Sequence, residues 1–101
     1  MTTNLNGLQV NGTSFQVAVW EAVSTIPCGE TRTYKEIANE IGNPKAARAV
    51  ANAVGKNPYP PQIPCHRVIR SNGKLGGYSG IGGIETKRNL LEKETGLIFK
   101  N

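Results

Sequence analysis

The sequence predicts a mainly α domain: a three-helical, winged-helix-like bundle with a helix-turn-helix, a small hairpin and a C-terminal helix. Three observations carry that reading. Apolar residues recur at three- and four-residue spacing in several windows. Two short helical windows are separated by about three residues that include a glycine. Asn72-Gly73 follows a short β-prone run, a strong signal for a two-residue reversal. The 101 residues suffice for one modest core and define a single domain, 1–101.

Taken in order, residues 1–12 carry only Leu5, Leu8 and Val10 and read as an extended lead-in. Thr13 or Ser14 can cap the first helix, whose stripe is Phe15, Ala18, Val19, Ala22, Val23 and Ile26. Trp20 lies off that stripe, either packed or partly exposed. Pro27-Cys28-Gly29 ends the helix. Thr33 and Glu36 have capping-box spacing and open a second helix that buries Tyr34, Ile37, Ala38 and Ile41, with Gly42 as terminator. Asn43 then caps the next helix and Pro44 takes its first position. Ala47, Val50 and Val54 face inward there, and Gly55 stops it. Lys45, Arg48 and Asn52 form the outer stripe among the small Ala46, Ala49, Ala51 and Ala53, which suits a helix that enters a groove.

Residues 56–64 hold four prolines, too rigid for a linker, and deliver Cys65 at a fixed place. Val68-Ile69-Arg70 reads as a short strand that turns through Ser71-Asn72-Gly73-Lys74 and returns at Leu75, like a small wing. The glycine-rich residues 76–83 contain neither a dinucleotide fingerprint nor a P-loop lysine. They suit a loop that closes on a flat ligand, with Tyr78 as stacking face and Ser79 as donor. Glu85 to Thr95 forms the last helix, packed by Ile84, Leu90 and Leu91 and stopped by Gly96.

Charge narrows the function. The net charge is +5, yet residues 1–31 carry Glu21 and Glu30 and no Lys or Arg. Residues 32–74 carry eight basic residues against Glu36 and Glu40. A basic centre of this kind points to a phosphate-rich partner. The 38% hydrophobic and 19% charged fractions fit a globular chain. No apolar run approaches the roughly 20 residues of a membrane helix, and the first residues lack signal-peptide features. The expectation is a monomer with no membrane partner that is cytoplasmic, nucleoid-associated in a prokaryote and nuclear in a eukaryote. One histidine and no aspartate argue against a four-ligand zinc site, so neither metal nor cofactor is expected.

The chemistry centres on Ile63-Pro64-Cys65-His66-Arg67-Val68. A thiol reacts as its thiolate, which needs a base or positive field, and here His66 and Arg67 follow Cys65 directly. The competing reading is a buried cysteine beside a surface histidine, since neighbours on a strand point to opposite faces. Cys28, in the turn after the first helix, reads as a small packing residue.

Phe15-Gln16-Val17-Ala18-Val19-Trp20, Ile26-Pro27 through Tyr34, Ala47-Arg48-Ala49-Val50, Asn57-Pro58, Ile63 to Ile69, Gly77-Tyr78-Ser79-Gly80 and Lys87 to Glu94 occur in one order and spacing. Together they resemble the O6-alkylguanine-DNA alkyltransferase family, specifically its C-terminal DNA-binding and active-site domain, over about residues 13–95. The resemblance implies double-stranded DNA containing O6-alkylguanine as partner and a single irreversible alkyl transfer to Cys65 after base flipping. By the same resemblance His66 acts as base through a water, Glu94 orients it, and Asn57 holds the loop. Tyr34 contacts the 3′ phosphate and the extruded base, and either it or solvent protonates the leaving oxygen. Arg48 fills the vacated stack, while Ser71 contacts a phosphate. Val54, Val68, Tyr78 and Ser79 form the base pocket, with the backbones of Cys65 and Val68 reading the guanine edge.

The chain departs from the family pattern in three places. The family's N-terminal domain is absent, so a natural minimal form or an excised domain is expected. Ala51 replaces a common glycine, and Ile81 lies in a slightly longer loop. The Glu94 assignment rests on spacing from Lys87. Alkyltransferase-like proteins, which bind lesions without transfer, typically have tryptophan at the cysteine, so Cys65 favours transfer. A cysteine hydrolase would leave the DNA-binding elements unexplained.

Overall fold

A computed structural model describes residues 2–5, 7–76, 78, 80 and 82–99. Thr13 closes a capping box with Gln16, its Oγ1 accepting from the Gln16 N–H at 3.1 Å, and this starts helix α1 (Ser14–Ser24). Val17, Val19, Trp20, Ala22 and Val23 are its buried face, so the inward side is wider than the spacing rule predicts and includes Trp20. The indole N–H of Trp20 donates to the Ala53 carbonyl at 2.9 Å, which satisfies the polar tip of an otherwise apolar anchor.

The lead-in is more ordered than expected. Thr2–Leu5 (β1) and Leu8–Asn11 (β2) pair antiparallel and send Leu5 and Val10 into the core. Gly12 joins this hairpin to α1. A Cβ there would lie 2.8 Å from the Trp20 ring, so only glycine lets the corner close.

The helix-turn-helix holds, with a correction to its connection. Arg32–Thr33 (β3) leads into α2 (Tyr34–Glu40), opened by the Thr33/Glu36 capping box and burying Ile37 and Ala38. At its end the Asn43 N–H turns back to the Ala38 carbonyl at 2.9 Å, with Gly42 at φ +79°. Asn43 therefore finishes α2 instead of capping the next helix, and Pro44 lies inside a turn closed by Ala46 N–H to Asn43 O at 3.0 Å. Proline's fixed φ suits the second position of such a turn. Helix α3 begins only at Ala47 and runs to Gly55, leaving Lys45 in the turn before it. Val50, Ala53 and Val54 are its buried residues, so Ala53 belongs to the core and not to the outer face.

The wing is also corrected. After a single 3-10 turn (Cys65–Arg67), Val68–Ile69 (β4) pairs in parallel with β3, Val68 opposite Arg32 and Ile69 opposite Thr33. The Asn-Gly turn is closed by Arg70 N–H to Lys74 O and Gly73 N–H to Arg70 O, both 2.9 Å. Leu75 does not return as a ladder strand. It packs with Ile69 and Leu91 in a small second core, with Ile84 and Phe99 against it. The antiparallel hairpin of this fold is thus the N-terminal one. Helix α4 (Gly83–Thr95) buries Lys87 and Leu91, and Gly96 ends it with φ +74°. Among the described residues no helix is long and apolar enough to cross a membrane.

Candidate active site

The proline-rich segment is held by one buried side chain. Asn57 donates from Nδ2 to the Ile63 carbonyl at 2.7 Å, and its Oδ1 accepts the Tyr59 N–H at 2.9 Å. The Tyr59 hydroxyl donates to the Gln9 carbonyl at 2.7 Å, tying the loop to β2. Prolines restrict the chain and Asn57 fixes its ends, so Cys65 enters its turn from a set direction.

The 3-10 conformation resolves the geometry of the Cys-His pair. With roughly three residues per turn, successive side chains diverge by about a third of a circle instead of pointing oppositely. Cys65 is 2% exposed and His66 also 2%, so the histidine is not a surface residue. His66 Nε2 lies 3.0 Å from Glu94 Oε2. Its buried Nδ1 has no hydrogen-bond partner among the described residues. In the tautomer that donates from Nε2 to the carboxylate, Nδ1 is the acceptor. Burial lowers the His66 pKa, with Glu94 opposing the shift, so the ring is favoured in its neutral, proton-accepting form.

Arg67 does something the sequence does not reveal. It donates to Glu94 through two parallel bonds, Nε to Oε1 and Nη2 to Oε2, each 2.9 Å, and from Nη1 to the Ile26 carbonyl at 2.8 Å. This fork holds the Glu94 pKa down to about 2. The positive charge expected to act on Cys65 is therefore engaged by Glu94. The buried cation that feels Cys65 is Lys87, which is 0% exposed and donates to the Val68 carbonyl at 2.6 Å. Its Nζ lies 5.9 Å from the centre of the Tyr34 ring. Burial lowers its pKa to about 8, with Cys65 acting in the opposite sense. A signal for Lys87 was present in the sequence, because Ile84, Lys87 and Leu91 share one helical stripe and only one of the three is charged.

A pocket of about 280 Å³ opens beside this centre, lined by Tyr34, Ala51, Asn52, Val54, Gly55, Arg70 and Tyr78. Of the expected base-pocket residues, Val54 and Tyr78 line it. Val68 is buried beneath, with its carbonyl bonded to Lys87. Ser79 and Ile81 lie outside the described residues. Burial and then Cys65 raise the pKa of both Tyr34 and Tyr78, which keeps their hydroxyls protonated. Gly76, at φ +75°, leaves room for the Tyr34 hydroxyl, since a Cβ would stand 2.7 Å from it. Arg48, Lys45, Asn52 and Ser71 are all exposed, and of these only Asn52 reaches the pocket wall. Arg70, absent from the sequence expectations, does line it. Cys28 is exposed with a free thiol, which corrects its reading as a packing residue.

Fold and site together define a helix-turn-helix domain with one buried cysteine directly before the His66–Glu94–Arg67 array and a pocket lined by Tyr34 and Tyr78. The family model for the DNA-binding domain of 6-O-methylguanine DNA methyltransferase matches residues 14–96, and the chain belongs to that family. A methylated-DNA–protein-cysteine methyltransferase of Mycobacterium tuberculosis is 59% identical over 87 residues, covering 86% of this chain and 52% of the relative. The crystal structure of M. tuberculosis OGT in complex with DNA aligns with a TM-score of 0.80 at 58% identity, over 85% of this chain and 51% of that one. S. pombe Atl1, solved with damaged DNA containing O6-carboxymethylguanine, aligns with a TM-score of 0.70 at 36% identity, over 84% and 79%. The chain thus spans about half the length of the M. tuberculosis methyltransferase.

Proposed function

We propose that the chain repairs DNA by direct reversal, moving a methyl or larger alkyl group from O6-alkylguanine in duplex DNA to Cys65, with O4-alkylthymine as a second substrate. The observation that carries this is the position of Cys65. It is buried directly before His66 of the His66–Glu94–Arg67 array, and its charge acts on Tyr34 and Tyr78, which line the pocket with Val54.

In this reading α3 meets the duplex, with Lys45, Asn52 and Ser71 on the backbone and Arg48 filling the stack left by the rotated base. Rotation costs a few kcal/mol of pairing and stacking, and Arg48 offsets part of it. The guanine enters between Tyr34 and Tyr78 against Val54, Val68 and Ser79. His66 takes the Cys65 proton through a water, its charge balanced by Glu94. The sulfur electron pair then forms the S–C bond as the C–O6 bond breaks, and guanine recovers a proton from Tyr34 or solvent. Asn57 keeps the loop in place. The thioether is stable, so each molecule acts once. A monomer working in the cytoplasm on double-stranded DNA fits this scheme.

The structural likeness to Atl1 favours one other reading, a protein that holds lesions without transferring them. Mass spectrometry after incubation with an O6-methylguanine duplex separates the two. One methyl adduct on Cys65, absent from Cys65→Ala, is expected. Tight binding with no adduct overturns transfer.

A further inference from the structure

Of the five arginines in the chain, three are answered by glutamates: Arg32 by Glu30, Arg67 by Glu94 and Arg88 by Glu85. Arg48 and Arg70 are exposed and make no ion pair or side-chain hydrogen bond among the described residues. Arg48 already has a place in the proposed reaction, whereas Arg70 has none.

Arg70 is nonetheless well placed. It lines the pocket with Tyr34 and Tyr78 and follows β4, which is pinned to β3. Its own N–H and carbonyl are both bonded within the Arg70–Lys74 turn at 2.9 Å, so the side chain rises from a fixed base. Its charge reaches into the site, where it disfavours the protonated forms of Tyr34 and Lys87. A cation at a pocket rim with no carboxylate to meet it is suited to an anion supplied by the ligand.

A base turned into the pocket brings its sugar and flanking phosphates to that rim, and a guanidinium binds phosphate through two parallel hydrogen bonds. Resting on the transfer reading above, we infer that Arg70 binds a phosphate flanking the extruded nucleotide and so secures the flipped state. The neighbouring Ser71 offers a hydroxyl but lies off the pocket wall. Arg70 supplies the charge. Once a phosphate neutralises it, its effect on Tyr34 and Lys87 is cancelled, and both keep their protons while DNA is bound.

The test measures both equilibrium binding and single-turnover transfer with an O6-methylguanine duplex, for the wild type, R70A and R70K. Each protein also meets duplexes in which a neutral methylphosphonate replaces the phosphate 5′ or 3′ of the lesion. R70A is expected to bind about tenfold more weakly, with the slope of log affinity against log salt shallower by about one, the signature of one lost phosphate contact. R70K should keep the slope and lose part of the affinity. One of the two methylphosphonates should weaken the wild type as R70A does and add nothing to R70A. An unchanged salt slope, or methylphosphonate losses equal in R70A and wild type, overturns the inference. Equal slowing of duplex and free O6-benzylguanine overturns it too, by making Arg70 part of the pocket wall. A wild type that binds without transferring defeats the transfer reading, while the affinities still judge Arg70.

Discussion

On the α4 side of Cys65, Glu94 grips Arg67 through both carboxylate oxygens and reaches His66, so polar groups of the 3-10 turn and of α4 satisfy one another. On the helix-turn-helix side, Arg48 and Lys45 stand exposed without ion pairs among the described residues, as does Arg70, which lines an open space of about 280 Å³. The first region is finished in the free protein and the second is not. Paired, partly buried charge holds side chains in one geometry. Unpaired surface charge is cheap to keep in water and becomes useful when phosphate displaces counterions. The contrast assigns rigidity to the His66–Glu94–Arg67 array and ligand dependence to the pocket rim.

The largest effect should come from the open side. Arg48→Ala is expected to slow transfer from duplex DNA by about a hundredfold, an intruding residue offsetting a few kcal/mol of flipping cost. Free O6-benzylguanine should react with far less change. Equal slowing on both substrates breaks the assignment of Arg48 to the stack.

The next largest falls on the finished side. Glu94→Gln leaves Arg67 and His66 without their counter-charge and should cost about 2 kcal/mol in urea unfolding at pH 7. The pH dependence has a defined sign. The Glu94 pKa is depressed from 4.5 to about 2, so its contribution is present above about 4.5 and lost as pH falls toward 2. Wild type should lose stability across that window, and the variant should lack this component.

The smallest change concerns Lys87, which belongs to both regions. Its folded pKa of about 8 lies below the ordinary 10.5, so the folded state binds fewer protons and stability rises between those values. Lys87→Met should remove that rise with little loss of stability at pH 7, since an apolar chain of similar length replaces a buried charge. Transfer should slow by about tenfold. A retained alkaline rise in the variant would assign the titration to another group.

What was legible in the sequence was local. The Thr33–Glu36 capping box and the cap at Thr13 join residues three apart, and Gly42 and Gly96 punctuate their helices where a left-handed residue is needed. The nearness of Cys65, His66 and Asn57 was legible too, because they sit in one short proline-rich stretch. Contacts between distant residues were not. The Arg67–Glu94 fork joins residues 27 apart, and the bond from Lys87 to Val68 joins residues 19 apart. Periodicity cannot report which strand a two-residue segment will meet, so the parallel pairing of β4 with β3 was missed. Asn43 shows the limit even at short range. The same residue can cap a following helix or finish a preceding one, and the backbone bond to Ala38 decides it.

The two thiols differ in one further respect. Cys28 lies open to solvent while Cys65 is 2% exposed. Small electrophiles and oxidants in the surrounding medium therefore meet Cys28 first. If Cys65 is spent once, as the proposed transfer requires, its concealment is a form of shelf life.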